Sequence, residues 1–188
     1  ARRCGKSRTC PDQYRIRLNA PSVVELGKQL AVDGTSYPCS YIELGSPGIP
    51  HLAVAVKNLA AQDEDALRRL GRALRYHPAL PKGANVNFYE LTGPDTVLEK
   101  TYERGVEDFT LACGTGTGSV VTALTVMGKV SGKNVRVQMA GGLLTVDAEE
   151  QSGKIENLYL AGPAAMVCAG EILDEEILGL LKRQEEQV

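Results

Sequence analysis

The chain of 188 residues has no tryptophan, only two phenylalanines and only two histidines. So few aromatic rings argue against a surface that stacks nucleobases. A net charge of −2 gives no general attraction to nucleic acid or to an anionic membrane. No uncharged run reaches transmembrane length, and no signal-peptide pattern opens the chain. Neither a nucleic-acid partner nor a membrane is therefore expected. The five cysteines, Cys4, Cys10, Cys39, Cys113 and Cys168, are odd in number and scattered. That usage suits reduced thiols in a cytoplasmic protein better than a disulfide framework. Cys4 and Cys10 are too isolated from other ligand types to build a four-ligand zinc site, so no metal is expected. With 43% hydrophobic and 23% charged residues, the composition fits one ordinary globular domain or two small lobes with enough core to fold.

What is present centres on Leu111-Ala112-Cys113-Gly114-Thr115-Gly116-Thr117-Gly118-Ser119 and the segment that follows, which carries no charge until Lys129. A segment uncharged on every side for that length predicts a fully buried helix. It should start near Gly114 or Thr115, with Thr115, Thr117 or Ser119 as candidate N-caps. Cys113 then stands at the positive end of the helix dipole, beside unpaired backbone N–H groups. Such a place favours an anion and favours thiolate over thiol, and glycines let a ligand approach the backbone. A buried structural cysteine at a glycine-rich turn fits the same residues.

Elsewhere the chain reads as strands around this helix. Residues 1–13 are basic and irregular, and Tyr14–Asn19 alternates as a half-buried strand. Residues 20–40 read as connecting structure with one strand near Val23. Tyr41–Leu44 is a short strand, and His51–Val56 is a strand entering the core behind a Gly/Pro turn. Asp63-Glu64-Asp65 opens an amphipathic helix with Leu67, Leu70 and Leu74 inward; its arginines Arg68, Arg69, Arg72 and Arg75 read as a solvated face. Asn85–Leu91, Thr96–Arg104, Asn134–Met139, Leu143–Asp147 and Ile155–Leu160 are further strands. Glu149–Lys154 is a polar loop, Met166–Ala169 a short strand, and the tail from Asp174 a helix. The expected architecture is α+β, a curved and mostly antiparallel sheet or barrel wrapped around the central buried helix.

Several short motifs in order resemble the diaminopimelate epimerase family. Tyr102-Glu103-Arg104-Gly105 followed by Leu111-Ala112-Cys113-Gly114-Thr115-Gly116 is similar to that family's second active-site motif. Pro50-His51 resembles its Gly-Asn-Pro-His motif, and Asn85-Val86-Asn87-Phe88, Ala140-Gly141-Gly142 and Leu160-Ala161-Gly162-Pro163-Ala164 resemble further family stretches. The likeness runs from about Tyr14 to Ile172, with residues 1–13 ahead of the lobe and residues 173–188 as a closing helix. It implies a cofactor-independent isomerase of two pseudo-symmetric lobes, in which one cysteine thiolate removes the α-proton and a second thiol protonates the opposite face. On that resemblance Cys113 is one of the two acid/base thiols and Glu103 poises it. The N–H groups of Gly114 and Thr115 hold the reacting carboxylate. Arg104 and Asn85 meet the distal end of the substrate, and His51 faces the other cysteine. The implied substrate is an amino acid, LL- or meso-diaminopimelate in lysine and cell-wall biosynthesis; another amino acid of the same superfamily is the alternative.

The chain departs from the family at its start. Only thirteen residues precede Tyr14, where the family carries a first lobe with its own catalytic cysteine. The chain by itself is therefore expected to be inactive and to need that lobe as a partner, with a homodimer as a further candidate assembly. Ile49 stands where the family has asparagine, and Phe109 occupies the approach to Cys113. Two other classes fit the residues less well. A nucleotide-binding module is disfavoured because Gly114-x-Gly116-x-Gly118 is neither the dinucleotide fingerprint nor a P-loop. A non-catalytic lobe serving an interaction rests on the absent first lobe.

Overall fold

The structure, a computed structural model, describes residues 2–3, 13–165, 167–168, 170–171 and 173–176. The expectations for Cys4, Cys10 and the helical tail beyond Glu176 lie outside the described residues. Among those described, the chain forms β1 (Arg2–Arg3), β2 (Gln13–Leu18), β3 (Pro21–Val32), β4 (Thr35–Leu44), β5 (Ile49–Ala55), α1 (Glu64–Arg75), β6 (Asn85–Gly93), β7 (Thr96–Tyr102), β8 (Phe109–Thr110), α2 (Gly114–Val126), β9 (Val135–Met139), β10 (Gly142–Gln151) and β11 (Lys154–Pro163). The sheet order is β1-β2-β11-β10-β9-β7-β6-β5-β4-β3, with β8 against β7. Only β5–β6 and β7–β9 are parallel pairs, and these are the two places where a helix crosses over.

Connectivity forces the curvature. β2 and β3 lie at opposite ends of the sheet order, yet only Asn19 and Ala20 separate them in sequence. A three-residue step spans at most about 10 Å, so the sheet must curl until its far edges approach. It does so around α2. The helix carries Val120, Val121, Ala123 and Leu124 into contact with Ile42, Ala53, Val97, Val137, Val146 and Leu158 from the strands, all nearly or wholly buried. The sheet does not close. A cavity of about 540 Å³ marks the seam between Ala20–Val24 of one edge and Gly153–Glu156 of the other, with Val126 of α2 at its floor. α1 covers the outer face, where Leu67 and Leu74 meet Leu52, Val54, Val86, Phe88 and Tyr102. β5 and β6 therefore alternate between two cores, His51 and Asn87 turning to the α2 side and Leu52 and Val86 to the α1 side.

Several local expectations need correction. Residues 20–40 are a long hairpin, β3 and β4, turned at Asp33-Gly34 with φ of 49° and 78°, the left-handed pair that such turns favour. The register slips between Glu25 and Lys28 around Gly27, which breaks the alternation that would have announced the strand. The polar stretch Glu149–Lys154 is mostly strand, with a turn of Ser152-Gly153 only. β7 stops at Tyr102, so Glu103 and Arg104 lie in the loop beyond it. Val167 and Cys168 are not in a strand. The arginines of α1 are not simply solvated. Arg68 pairs with Glu64, Asp65 and Asp108, and Arg75 with Glu107 at 3.2 Å. Asp108 is held below the usual carboxylate range first by its hydrogen bond from Arg68 and then by the Phe109 N–H.

Because α2 is enclosed on all sides, truncating Leu124, which is fully buried, should cost about 2–5 kcal/mol. Leu91→Ala on the exposed end of β6 should stay within about 0.5 kcal/mol of the parent. Urea unfolding followed by circular dichroism measures both.

Candidate active site

The site forms where the sheet parts. The first half of β7 pairs with β9 through Thr96, Val97 and Leu98, whereas Thr101 and Tyr102 pair instead with β8. The chain then dips inward between the diverging strands. The Gly141 N–H holds Leu111 at its carbonyl at 2.7 Å, and α2 begins three residues later. Its N-cap is Cys113 itself, with extended backbone at φ −133° and ψ 100°, rather than the threonines or serine proposed from sequence. The first intrahelical bond runs from the Thr117 N–H to the Cys113 carbonyl at 2.9 Å. The N–H groups of Gly114 and Thr115 precede that bond and have no partner among the described residues, as geometry requires at a helix start.

The glycines serve packing more than ligand access. A Cβ on Gly116 would overlap the Asn87 side-chain oxygen, one on Gly118 would stand 2.8 Å from Leu18 Cδ1, and one on Gly114 would stand 2.8 Å from Leu160 Cδ2. They let the first turn of α2 lie directly on the strands.

Cys113 is at the helix start and 8% exposed. Its thiol is not activated in this chain. Burial pushes its pKa up, against hydrogen bonds from the Gly116 N–H and the Thr115 hydroxyl, and the Glu103 and Glu99 carboxyls oppose ionisation further. The helix dipole alone favours thiolate; desolvation and two nearby carboxyls outweigh it. The preference for thiolate expected of a helix start is thus outweighed by burial.

The other residues singled out in the sequence are gathered at this end of the barrel. Asn85, 5% exposed, donates to the Pro50 carbonyl at 3.1 Å and accepts from the Arg104 N–H at 2.8 Å, tying the His51 loop to the Glu103-Arg104 loop. Its amide keeps one N–H beyond these bonds. The Arg104 guanidinium donates to the Lys82 carbonyl at 3.0 Å, and Glu103 is half-buried with no side-chain hydrogen bond among the described residues. α1 steadies this loop through the Arg68–Asp108 and Arg75–Glu107 pairs. His51 is wholly enclosed. Burial first, and then the Arg104 charge, bring its pKa down to about 3, so the ring is neutral at any working pH. Its Nδ1 lies 3.3 Å from the Asn87 amide nitrogen, and its Nε2 has no partner among the described residues. Phe109 does not block the approach to Cys113; its ring packs outward against Phe88 and Tyr102.

Sequence reasoning missed Glu99, Thr101, Asn87 and Thr117, a polar group buried within the barrel. The alternation of β7 carried a signal, since Val97, Glu99 and Thr101 must share one face. Among the described residues no set of three or more His, Cys, Asp or Glu could hold a metal, and no helix is long and apolar enough to cross a membrane.

A curved sheet around one buried helix, with a thiol at the helix start, places the chain among epimerase-type folds. It superimposes with a TM-score of 0.59 on a hydroxyproline epimerase of Agrobacterium vitis solved with trans-4-hydroxy-L-proline, at 23% identity over 81% of this chain and 50% of that one. A probable proline racemase of Agrobacterium radiobacter gives 0.60 at 20% identity over 87% and 54%. At such identities these likenesses establish the fold alone. The sequence is more specific. The family model for diaminopimelate epimerase matches residues 45–167. Diaminopimelate epimerases of Aquifex aeolicus and Alkaliphilus metalliredigens are 37% and 32% identical to it, each over 88% of this chain. The chain belongs to the diaminopimelate epimerase family. It spans about half the length of these relatives, 56% and 54%.

Two outcomes follow from the site. With its pKa raised and little surface exposed, Cys113 should react with iodoacetamide at neutral pH at least about tenfold more slowly than the exposed Cys168, as peptide mass spectrometry would record. Gly116→Ala should destabilise the chain by about 1–3 kcal/mol, and Asn87→Ala in the same molecule should recover part of that loss in a double-mutant cycle.

Proposed function

We propose that this chain is the lobe of an amino-acid epimerase that carries one of two acid/base thiols, acting without a cofactor on LL- and meso-diaminopimelate. The observation that supports this reading most is the placement of Cys113. It caps a buried helix whose next two N–H groups are unpaired, with Glu103 and Arg104 on the adjoining loop. A carboxylate bound to the N–H groups of Gly114 and Thr115 would bring its α-carbon beside Sγ. The same donors would stabilise the charge that develops on the carboxylate when the α-proton leaves.

In this reading the resting thiol of Cys113 is the proton donor, and the base is a thiolate on the opposing wall. Once Cys113 has given up its proton it becomes the base for the reverse direction. Glu103, close enough to disfavour the thiolate, keeps the proton on sulfur until the carbanion forms. Arg104 binds the distal carboxylate, for which a guanidinium fork is suited, and the spare N–H of Asn85 adds a second contact there. His51 keeps its place. Neutral and enclosed, it meets the Asn87 amide through Nδ1, on the side where the resemblance has it face the other cysteine. A two-base reaction needs both walls. Cys39 lies in the outer core and donates to the Lys28 carbonyl, and Cys168 lies exposed beyond β11, so neither is assigned as the second thiol. Among the described residues the chain thus supplies one acid/base thiol, and this reading takes the opposing thiolate from a first lobe.

A second substrate class is favoured by one observation. Ile49, at the edge of this end, is 41% exposed and offers an apolar side chain where a polar distal group would need a partner. An amino acid with a less polar side chain would suit it better.

Heavy-water exchange tests the reading. The native gene product should place deuterium at the α-carbon of either diaminopimelate isomer, and Cys113→Ser should reduce that rate by about 10²–10⁴-fold without unfolding the protein. The 188-residue chain alone should give none. Exchange into proline but not diaminopimelate would overturn the substrate, and undiminished exchange in the Cys113→Ser variant would overturn the site.

A further inference from the structure

We propose that Glu99 is a positioning residue for Cys113: a neutral carboxylic acid sealed inside the barrel, whose proton completes the hydrogen bonding beneath the first turn of α2 and thereby governs how readily the thiol ionises. The argument is a count of hydrogens. Glu99 is 1% exposed and projects from β7 on the same face as Val97 and Thr101. The Thr101 hydroxyl lies 3.0 Å from Asn87 Oδ1 and 3.2 Å from Glu99 Oε1. It has one hydrogen for these two acceptors. Asn87 cannot solve the problem by turning its amide round, because its Nδ2 already donates to the Leu52 carbonyl at 3.2 Å. If Glu99 is ionised, the Thr101 hydrogen serves only one of the two; the other hydroxyl near Glu99, that of Thr117, lies 3.3 Å from Met139 Sδ, and Glu99 Oε2 has no partner among the described residues, which is costly in a dry interior. If Glu99 is an acid, its O–H donates to Thr101 Oγ1, Thr101 donates to Asn87, and both contacts are satisfied.

This chain of hydrogen bonds ends at Asn87, which is in packing contact with the backbone that meets the Cys113 sulfur. Asn87 Oδ1 backs directly onto Gly116, and the Gly116 N–H is the backbone donor to Cys113 Sγ. Burial also acts toward the neutral form, bringing the Glu99 carboxyl up to about 8 against the Thr117 and Thr101 hydroxyls. The groups facing it are Thr101 on its own strand, Asn87 of β6, Thr117 and Cys113 at the start of α2, and, across Asn87, the neutral His51 of β5. The nearest formal charges act on its neighbours: Glu103 on Cys113 and Arg104 on His51. Among the described residues no cation bonds to Glu99 itself.

The consequence has a definite sign. Below about pH 8 Cys113 stands over a neutral acid. As the pH rises through that value Glu99 loses its proton, the Thr101 hydrogen turns to the carboxylate, and a negative charge appears under the helix start. Thiolate formation is then opposed, so the thiol should titrate late and over a broad range. This inference deepens the acid/base role proposed for Cys113, but its test reads the thiol and not turnover, so the two can fail separately.

In the 188-residue chain, alkylation of the Cys113 peptide by iodoacetamide is followed by mass spectrometry between about pH 6 and pH 10, with Glu99→Gln beside the parent. The amide of that variant can donate to Thr101 as the acid does, yet never ionises. We expect its profile to be a single, sharper step with a midpoint lower by roughly half to one pH unit, so that alkylation near pH 9 rises about three- to tenfold. Superimposable profiles, with the thermal melt of the variant unchanged, would overturn the proposal. Should that variant not fold, infrared spectroscopy of the parent decides. A protonated-carboxyl stretch should persist at pH 7 and vanish through about pH 8–9; its absence at pH 7 overturns the proposal equally.

Discussion

The enclosure of α2 is the constraint from which the rest of the molecule follows. A helix with no charged residue from Gly114 to Val126 cannot lie on a surface, and one sheet face cannot cover it all round. The strands must curl about it, and the two-residue link between β2 and β3 makes the curl compulsory. The candidate site then lies where the chain has to enter the barrel to begin that helix. There β7 parts from β9, the helix start meets solvent, and the groups on the surrounding strand ends converge.

The same enclosure sets the chemistry. A helix N-terminus at a surface lowers the pKa of a neighbouring thiol. A helix N-terminus at the mouth of an apolar barrel offers its dipole together with desolvation, and here Glu99 and Glu103 add to the desolvation side. The balance favours the thiol at Cys113, where a helix start alone would favour thiolate, and keeps His51 neutral. An acid at rest is what the proposed two-base reaction asks of one member, since there the partner's thiolate would start the reaction.

The outer helix has a part in this that its amphipathic pattern conceals. α1 buries leucines against the outside of the barrel, and its arginines reach over to Asp108 and Glu107 on the loop between β7 and β8. That loop presents Glu103 and Arg104. Exposed ion pairs contribute little to stability, yet several of them on one short loop restrict where a guanidinium can point.

From the sequence alone the buried helix, its start beside Cys113, the strand character of most of the chain and the order of the site motifs could be read, because uncharged length and period-two alternation are local properties. The sequence did not disclose the β3–β4 hairpin, whose alternation is broken by the bulge at Gly27 and whose exposed edge faces lack an apolar stripe. Nor could it disclose the ionisation of Cys113, His51 and Glu99. Those depend on desolvation and on carboxyls brought near from other parts of the chain, and only the curling of the sheet around the helix sets either.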